Sequence, residues 1–287
     1  MSKTDRRHMF SRVKILSGLC LLFALPIANA KSDCDEDWIC IDEVRNGKTI
    51  ELRARNLKDY PLTYTLQVRS RSLQVQGAKT VTRTLPPRQS ETAIVLQSDD
   101  THGNGRYSIK FDWTVGYMDP NHDDEHVYAF PYEKGLTYRI LQGYGSRFSH
   151  TGREEFSIDF DMPVGTPVHA ARAGVVARVV ESNDKGCWEA GCGAHANFIV
   201  VLHSDGTTGE YYHLQKDGAL VEVGDIVERG QRIGLSGNTG HTALPHLHFA
   251  VYRATTWGNT QSIPVRFQSA DGIVNTPRRG GRHQAAY

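Results

Sequence analysis

The chain has 287 residues, with Lys+Arg 33 against Asp+Glu 32 and a formal net charge of +1. That balance excludes a nucleic-acid binder acting through bulk positive charge, and 39% hydrophobic with 23% charged residues excludes a disordered chain. No apolar run reaches the roughly 18 residues of an ordinary transmembrane helix, and a length of this order predicts two domains at roughly 100–200 residues each.

Arg6, Arg7, Arg12 and Lys14 precede an apolar stretch over 15–27, which Ala28-Asn29-Ala30 closes. A basic leader, a short apolar segment and a small-residue site predict a signal peptide over 1–30, cut after Ala30. Leu19 is too bulky for the site that would precede a lipidated Cys20. Four cysteines follow the leader: Cys34, Cys40, Cys187 and Cys192. An even number in an exported chain predicts disulfides. Of the three pairings, the short gaps favour Cys34–Cys40 and Cys187–Cys192. Neither pair has the two-residue gap of a zinc knuckle, which argues against a four-cysteine metal site.

Residues 31–130 show short alternating runs over 49–55, 62–69, 92–96 and 107–115. Pro86-Pro87 and His102-Gly103-Asn104-Gly105 separate them. This spacing predicts an antiparallel β-sandwich-like domain without a catalytic constellation. The cluster His122-Asp123-Asp124-Glu125-His126 reads as a solvated loop near the boundary rather than a metal site.

Residues 131–275 hold more glycine and further β-runs, over 175–180, 198–203 and 210–214, with Asp205-Gly206 as a hairpin turn. The fold class expected is therefore all-β throughout. The segment 276–287 reads as a flexible tail.

The informative residues are His246-Leu247-His248 in the run that ends at Tyr252. On a strand, His246, His248, Ala250 and Tyr252 share one face, while Leu247, Phe249 and Val251 enter a core. Asp159, between Ile158 and Phe160, is a carboxylate in an apolar strand and needs a partner. His213 ends the run 210–214, and His150 lies upstream after Gly143-Tyr144-Gly145-Ser146. Two His and one Asp, with a fourth position open, are a catalytic zinc arrangement. Two further histidines would move protons and steady an oxyanion. Trp188, within the short cysteine loop, is a candidate for the edge of a groove. Tyr144, Asn197, Tyr211 and Tyr212 have packing or turn-capping roles as good as any role in a site.

The ordered motifs Asp159-Phe160, Pro163-x-Gly165-Thr166-Pro167-Val168, Tyr212-His213-Leu214, Val223-Gly224-Asp225, Gly237-Asn238-Thr239-Gly240 and His246-Leu247-His248-Phe249 carry a resemblance. Over residues 140–255 the sequence resembles the LytM-type, lysostaphin-like zinc metallopeptidases that cut peptidoglycan cross-bridges. The resemblance implies an antiparallel β-sheet peptidase domain with a groove, over 131–275. It implies one Zn2+ per chain, with Asp159 and His248 as ligands and His213 and His246 as the catalytic pair. The implied partner is the peptide cross-link of peptidoglycan, met in the periplasm or cell envelope. No nucleic acid and no integral membrane segment after signal cleavage are expected.

One departure stands out. The family's first ligand is a His four positions before the Asp, and Glu155 stands there. His150 reaching the metal from a longer loop is the expected replacement. Glu155 as a carboxylate ligand, or a site without zinc, are the alternatives. The last would make the domain a non-catalytic module that binds murein or activates another hydrolase.

Overall fold

The computed structural model describes residues 31–98 and 105–287. The expected leader, Cys20 and the turn at 102–104 lie outside the described residues. The first eight strands are β1 (Lys31–Asp35), β2 (Ile39–Asn46), β3 (Thr49–Asn56), β4 (Leu62–Arg71), β5 (Leu73–Gln76), β6 (Thr80–Leu85), β7 (Ser90–Ser98) and β8 (Arg106–Val115). They form two sheets, ordered β1-β2-β3-β7-β5 and β6-β4-β8. Inward residues of both, including Ile41, Leu52, Leu96, Tyr64 and Leu66, share one core. The predicted alternation is visible along β3, where Ile50, Leu52 and Ala54 are buried and Arg53 is exposed. Cys34 and Cys40 are directly opposed on β1 and β2 and are disulfide-bonded.

The remaining strands begin with β9 (Val127–Ala129), β10 (Thr137–Gln142), β11 (Ile158–Phe160), β12 (Pro167–His169), β13 (Gly174–Val180) and β14 (Gly186–Cys187). Next come β15 (Phe198–Leu202), β16 (Thr208–Tyr212), β17 (Leu214–Ala219), β18 (Ile226–Val227), β19 (Arg232–Ser236) and β20 (Gly240–His241). The last are β21 (Leu247–Ala254), β22 (Thr260–Ile263), β23 (Arg266–Ser269), β24 (Gly272–Val274) and β25 (Arg282–Gln284). The main sheet runs β18-β13-β15-β16-β21-β11-β10-β25, with β22 added to β21. Small sheets β12-β19-β17 and β24-β23-β9 and the pair β14-β20 complete the domain. Phe160, Tyr211, Leu247 and Phe249 lie in its core.

Two boundaries differ from those the sequence suggests. β9, assigned above to the first domain, pairs in parallel with β23 and therefore belongs to the second. The segment before it is anchored to the β15–β16 hairpin, through Tyr117 N to Gly206 O and Asn121 N to Asp205 O. His122 belongs to that anchor rather than to a solvated loop: its Nδ1 is 3.1 Å from Asp205 Oδ2, which also accepts from Arg172 at 2.5 Å. The expected flexible tail, 276–287, instead contributes β25, paired with β10, and buries Ala285. Its Gly/Arg composition carries no local signal for a pairing partner that lies about 140 residues earlier. The two domains also touch. Tyr60 Oη donates to Ala177 O, and Ala177 and Val200 of the second domain pack into the first domain's core.

Candidate metal centre

Asp159 on β11 stands directly opposite His248 on β21. The flanking pairs, Ile158 with Phe249 and Phe160 with Leu247, face the other way and are fully buried. Burying each such side chain contributes roughly 1.5–3 kcal/mol, and a one-residue slip would expose all four. The hydrophobic face thus fixes the register that brings the carboxylate against the imidazole. Asp159 Oδ1 lies 2.9 Å from His248 Nδ1.

His150 arrives from the loop ahead of the short 3-10 turn Gly152–Glu154. It is 1% exposed, and its Nδ1 donates to Gly143 O at 3.3 Å. That bond leaves Nε2 as the bare nitrogen, 3.2 Å from Asp159 Oδ1 and without a hydrogen-bond partner among the described residues. A buried, orphaned acceptor facing a carboxylate calls for a cation between them. Donor atoms of His150, Asp159 and His248 all lie within 4.8 Å of one another, so the three could hold one metal ion. Ligands about 2.0–2.1 Å from a tetrahedral zinc sit at comparable separations, and two His with one carboxylate is a known catalytic zinc set. Among the described residues the other cluster of this kind, Cys187, Glu189 and Cys192, is closed by the disulfide between its two cysteines.

Glu155 does not join the cluster. It is exposed, and its backbone oxygen accepts from Gly145 N. Its neighbour Glu154, which the sequence reading passed over, turns inward instead. Glu154 Oε2 accepts from Tyr252 Oη at 2.6 Å and from Ser157 Oγ at 2.9 Å, and lies 3.7 Å from His248 Nε2. Tyr252 Oη is itself 3.3 Å from His248 Nε2. His248 is therefore held between carboxylates at both nitrogens. Burial alone would lower its pKa, but Asp159 and Glu154 outweigh burial and raise it to about 10. Burial likewise opposes ionisation of Glu154, yet hydrogen bonds from His248, Tyr252 and Ser157 bring its pKa down to about 2. Asp159 is held well below the usual carboxylate range by His150 and His248, against the effect of its burial. Two ionised carboxylates around one imidazole make a strongly cation-seeking centre, in which a metal and a proton compete.

The remaining histidines flank this centre. His246 precedes β21 and bridges to Gly237, whose backbone runs so close to Gln215 that an added Cβ would lie 2.3 Å from its nitrogen. His246 Nδ1 donates to Leu244 O at 2.8 Å, and its Nε2 is 3.7 Å from Asp159 Oδ1. His213 follows β16 with φ 67, a conformation uncommon for a non-glycine residue and often found at functional sites. Its Nδ1 donates to Thr239 O at 2.7 Å, and its ring lies 4.5 Å from that of His246. Burial lowers the pKa of both, that of His213 to about 3. Both rings are thus neutral near pH 7, with Nε2 as a proton acceptor. The structure brings together all five expected residues.

A groove of about 350 Å3 is lined in part by Asp159, His246 and His248. Trp188 is on its rim, 51% exposed and stacked between Phe148 and His241. Tyr211 packs in the core, whereas the Tyr212 ring lies 6.0 Å from that of His248. Tyr144 packs on Phe156 and bonds to the Val265 backbone. Asn197 braces the turn at Asn183 through two hydrogen bonds.

Residues 153–263 match the model of Peptidase family M23. Among curated proteins, the peptidoglycan DD-endopeptidase ShyA of Vibrio cholerae is 35% identical over 137 residues, covering 46% of this chain and 29% of ShyA. Lysostaphin of Staphylococcus simulans is 33% identical over 152 residues, covering 50% of this chain and 29% of lysostaphin. The chain spans about a third of the length of the curated relatives it matches. Of solved structures, the catalytic domain of lysostaphin shows 31% identity and a TM-score of 0.31, covering 46% of this chain and 88% of that one. The catalytic domain of the M23 protein EnpA from Enterococcus faecalis shows 24% identity and a TM-score of 0.36, covering 47% and 93%.

Proposed function

We propose that this chain, whose residues 153–263 form a peptidase family M23 domain, is a zinc-dependent endopeptidase hydrolysing peptide cross-links of peptidoglycan in the cell envelope. The observation that carries the reading is the convergence of His150, Asp159 and His248 with two neutral histidines beside them. Relatives named as peptidoglycan DD-endopeptidases support the substrate, and two disulfides support an exported chain. Among the described residues no helix is long and apolar enough to cross a membrane.

In this reading His150, through Nε2, Asp159 and His248, through Nδ1, would hold the metal. Zinc, when bound, supplies Lewis-acid polarisation of the scissile carbonyl and makes water more acidic. Glu154 and Tyr252 orient His248 from behind through Nε2, as outer carboxylates orient metal-binding histidines. His246, the nearer of the two free rings to Asp159, accepts the proton of the attacking water at Nε2. His213, whose ring lies across that of His246, takes over this proton at its own Nε2 and, as the imidazolium, delivers it to the leaving amine. The Leu244 and Thr239 carbonyls hold the tautomers that make this possible. The groove walls orient the peptide strand.

The test is digestion of cross-linked peptidoglycan fragments by the full mature chain, before and after chelation and after zinc is restored. The reading predicts cleavage that chelation abolishes and zinc restores. Intact fragments under all three conditions would contradict it, and would favour a module that binds murein without cutting it.

A further inference from the structure

Two segments outside the matched residues 153–263 contribute to the lining of the groove. One is β10 and the loop that follows it. The other is the C-terminal segment, which lies alongside. Gly280 N donates to Ile140 O at 2.8 Å, Ile140 N to Gly281 O at 2.9 Å, and Tyr144 N to Pro277 O at 3.1 Å. The approach at Gly143 is so close that an added Cβ would lie 2.2 Å from Pro277 O. Arg279, brought in by this docking, and Arg139 both line the groove. Both side chains are exposed, and neither forms an ion pair or side-chain hydrogen bond among the described residues.

We propose that Arg139 and Arg279 form a carboxylate-binding subsite that selects substrate peptides bearing free carboxylates over neutral ones. This rests on the endopeptidase reading above for the identity of the ligand. Two unpaired guanidinium groups lining one groove favour an anionic ligand, and each matches a carboxylate in planar, two-bonded geometry. The groove is also lined by the exposed, stacked rings of Phe148 and Trp188, suited to the uncharged part of a peptide. The groove thus offers basic and aromatic groups together. A peptide cross-link carrying carboxylates fits it better than an uncharged glycine bridge. The segment that composition marks as a tail is then a specificity element of the site.

The test uses the full mature chain and a matched pair of cross-linked stem-peptide dimers. One has free side-chain carboxylates, and in the other these are primary amides. Kd is read by calorimetry and by tryptophan fluorescence at low and moderate salt, and cleavage is followed in parallel. Wild type is expected to bind the acidic dimer about 10-fold or more tightly than the amide, in line with one or two charge-assisted hydrogen bonds, and to lose this preference as salt rises. Arg139→Gln and Arg279→Gln should each weaken the acidic dimer and leave the amide unchanged, with unaltered melting temperatures. Equal binding of the two dimers by wild type, no binding of either, or preference retained in both variants would overturn the subsite. Discrimination in Kd without cleavage of either dimer would sink the endopeptidase reading and leave the subsite standing. Cleavage of both with equal Kd and KM would do the reverse.

Discussion

His150 Nε2 lies 3.2 Å from Asp159 Oδ1, although nine positions separate the two residues and Glu155 occupies the place where the resemblance expects the histidine. The loop after β10 and the turn Gly152–Glu154 carry the ring back over the sheet. Glu155 points away from the centre this creates. Glu155→Ala is therefore expected to retain metal content and to change activity less than about threefold, as substitutions at exposed positions do. Loss of metal from that variant, seen by mass spectrometry, would return the carboxylate to the ligand set.

Glu154 is the glutamate that matters in this account. Glu154→Gln keeps a hydrogen-bonding side chain but removes the charge facing His248 Nε2. Metal affinity, measured by competition with a chromogenic chelator, should fall by roughly 10–100-fold, the usual cost of an outer partner. Tyr252→Phe removes one hydroxyl contact and should fall less. An unchanged affinity in Glu154→Gln would mean that the Asp159 register alone positions the imidazole.

His246→Ala and His213→Ala separate metal holding from chemistry. Neither is among the three side chains proposed as ligands, so both variants should keep the metal. Each should lose about 10²–10⁴-fold in kcat, the range for a removed proton-transfer group. A variant that loses metal as readily as activity would place its histidine among the ligands.

Away from the site, His203 gives a pH signature. It is buried, its Nδ1 is 2.9 Å from Thr207 Oγ1, and burial with nearby Arg172 lowers its pKa to about 3. In the unfolded chain the pKa is near 6.5. Between those values the unfolded state binds a proton that the folded state does not. Stability is therefore fully present above pH 6.5 and falls as pH drops through the window, by up to about 1.4 kcal/mol per unit from this group. Denaturant melts of wild type and His203→Gln at pH 7 and pH 4.5 check this. The variant should be less stable at pH 7 but lose less on acidification. Parallel losses in the two proteins would refute it.

The parts of this molecule legible in the sequence are those written in local pattern. The alternation through Leu247, Phe249 and Val251 fixes which face carries His248, and the short spacing of Cys187 and Cys192 fixes their pairing. Asp159, His213, His246 and His248 were within reach because strand period and motif order place them, and His150 was within reach as the upstream histidine able to replace the one missing at Glu155. Glu154 was not, since the 3-10 turn decides which of two adjacent glutamates faces inward, and no periodicity describes a turn of that length. Arg279 and β25 were hidden for another reason. Their order comes from pairing with β10, a contact remote in sequence, while Gly280 and Gly281 locally read as chain end. β9 is hidden on the same grounds, because its strand partner, β23, lies far along the chain.

The most direct measurement is zinc stoichiometry by mass spectrometry on the purified mature chain, beside His150→Ala and His248→Ala. The account predicts about one zinc per wild-type chain and loss of it in both variants. A wild-type chain that holds none after zinc is supplied, or a His150→Ala variant that keeps a full equivalent, would contradict it.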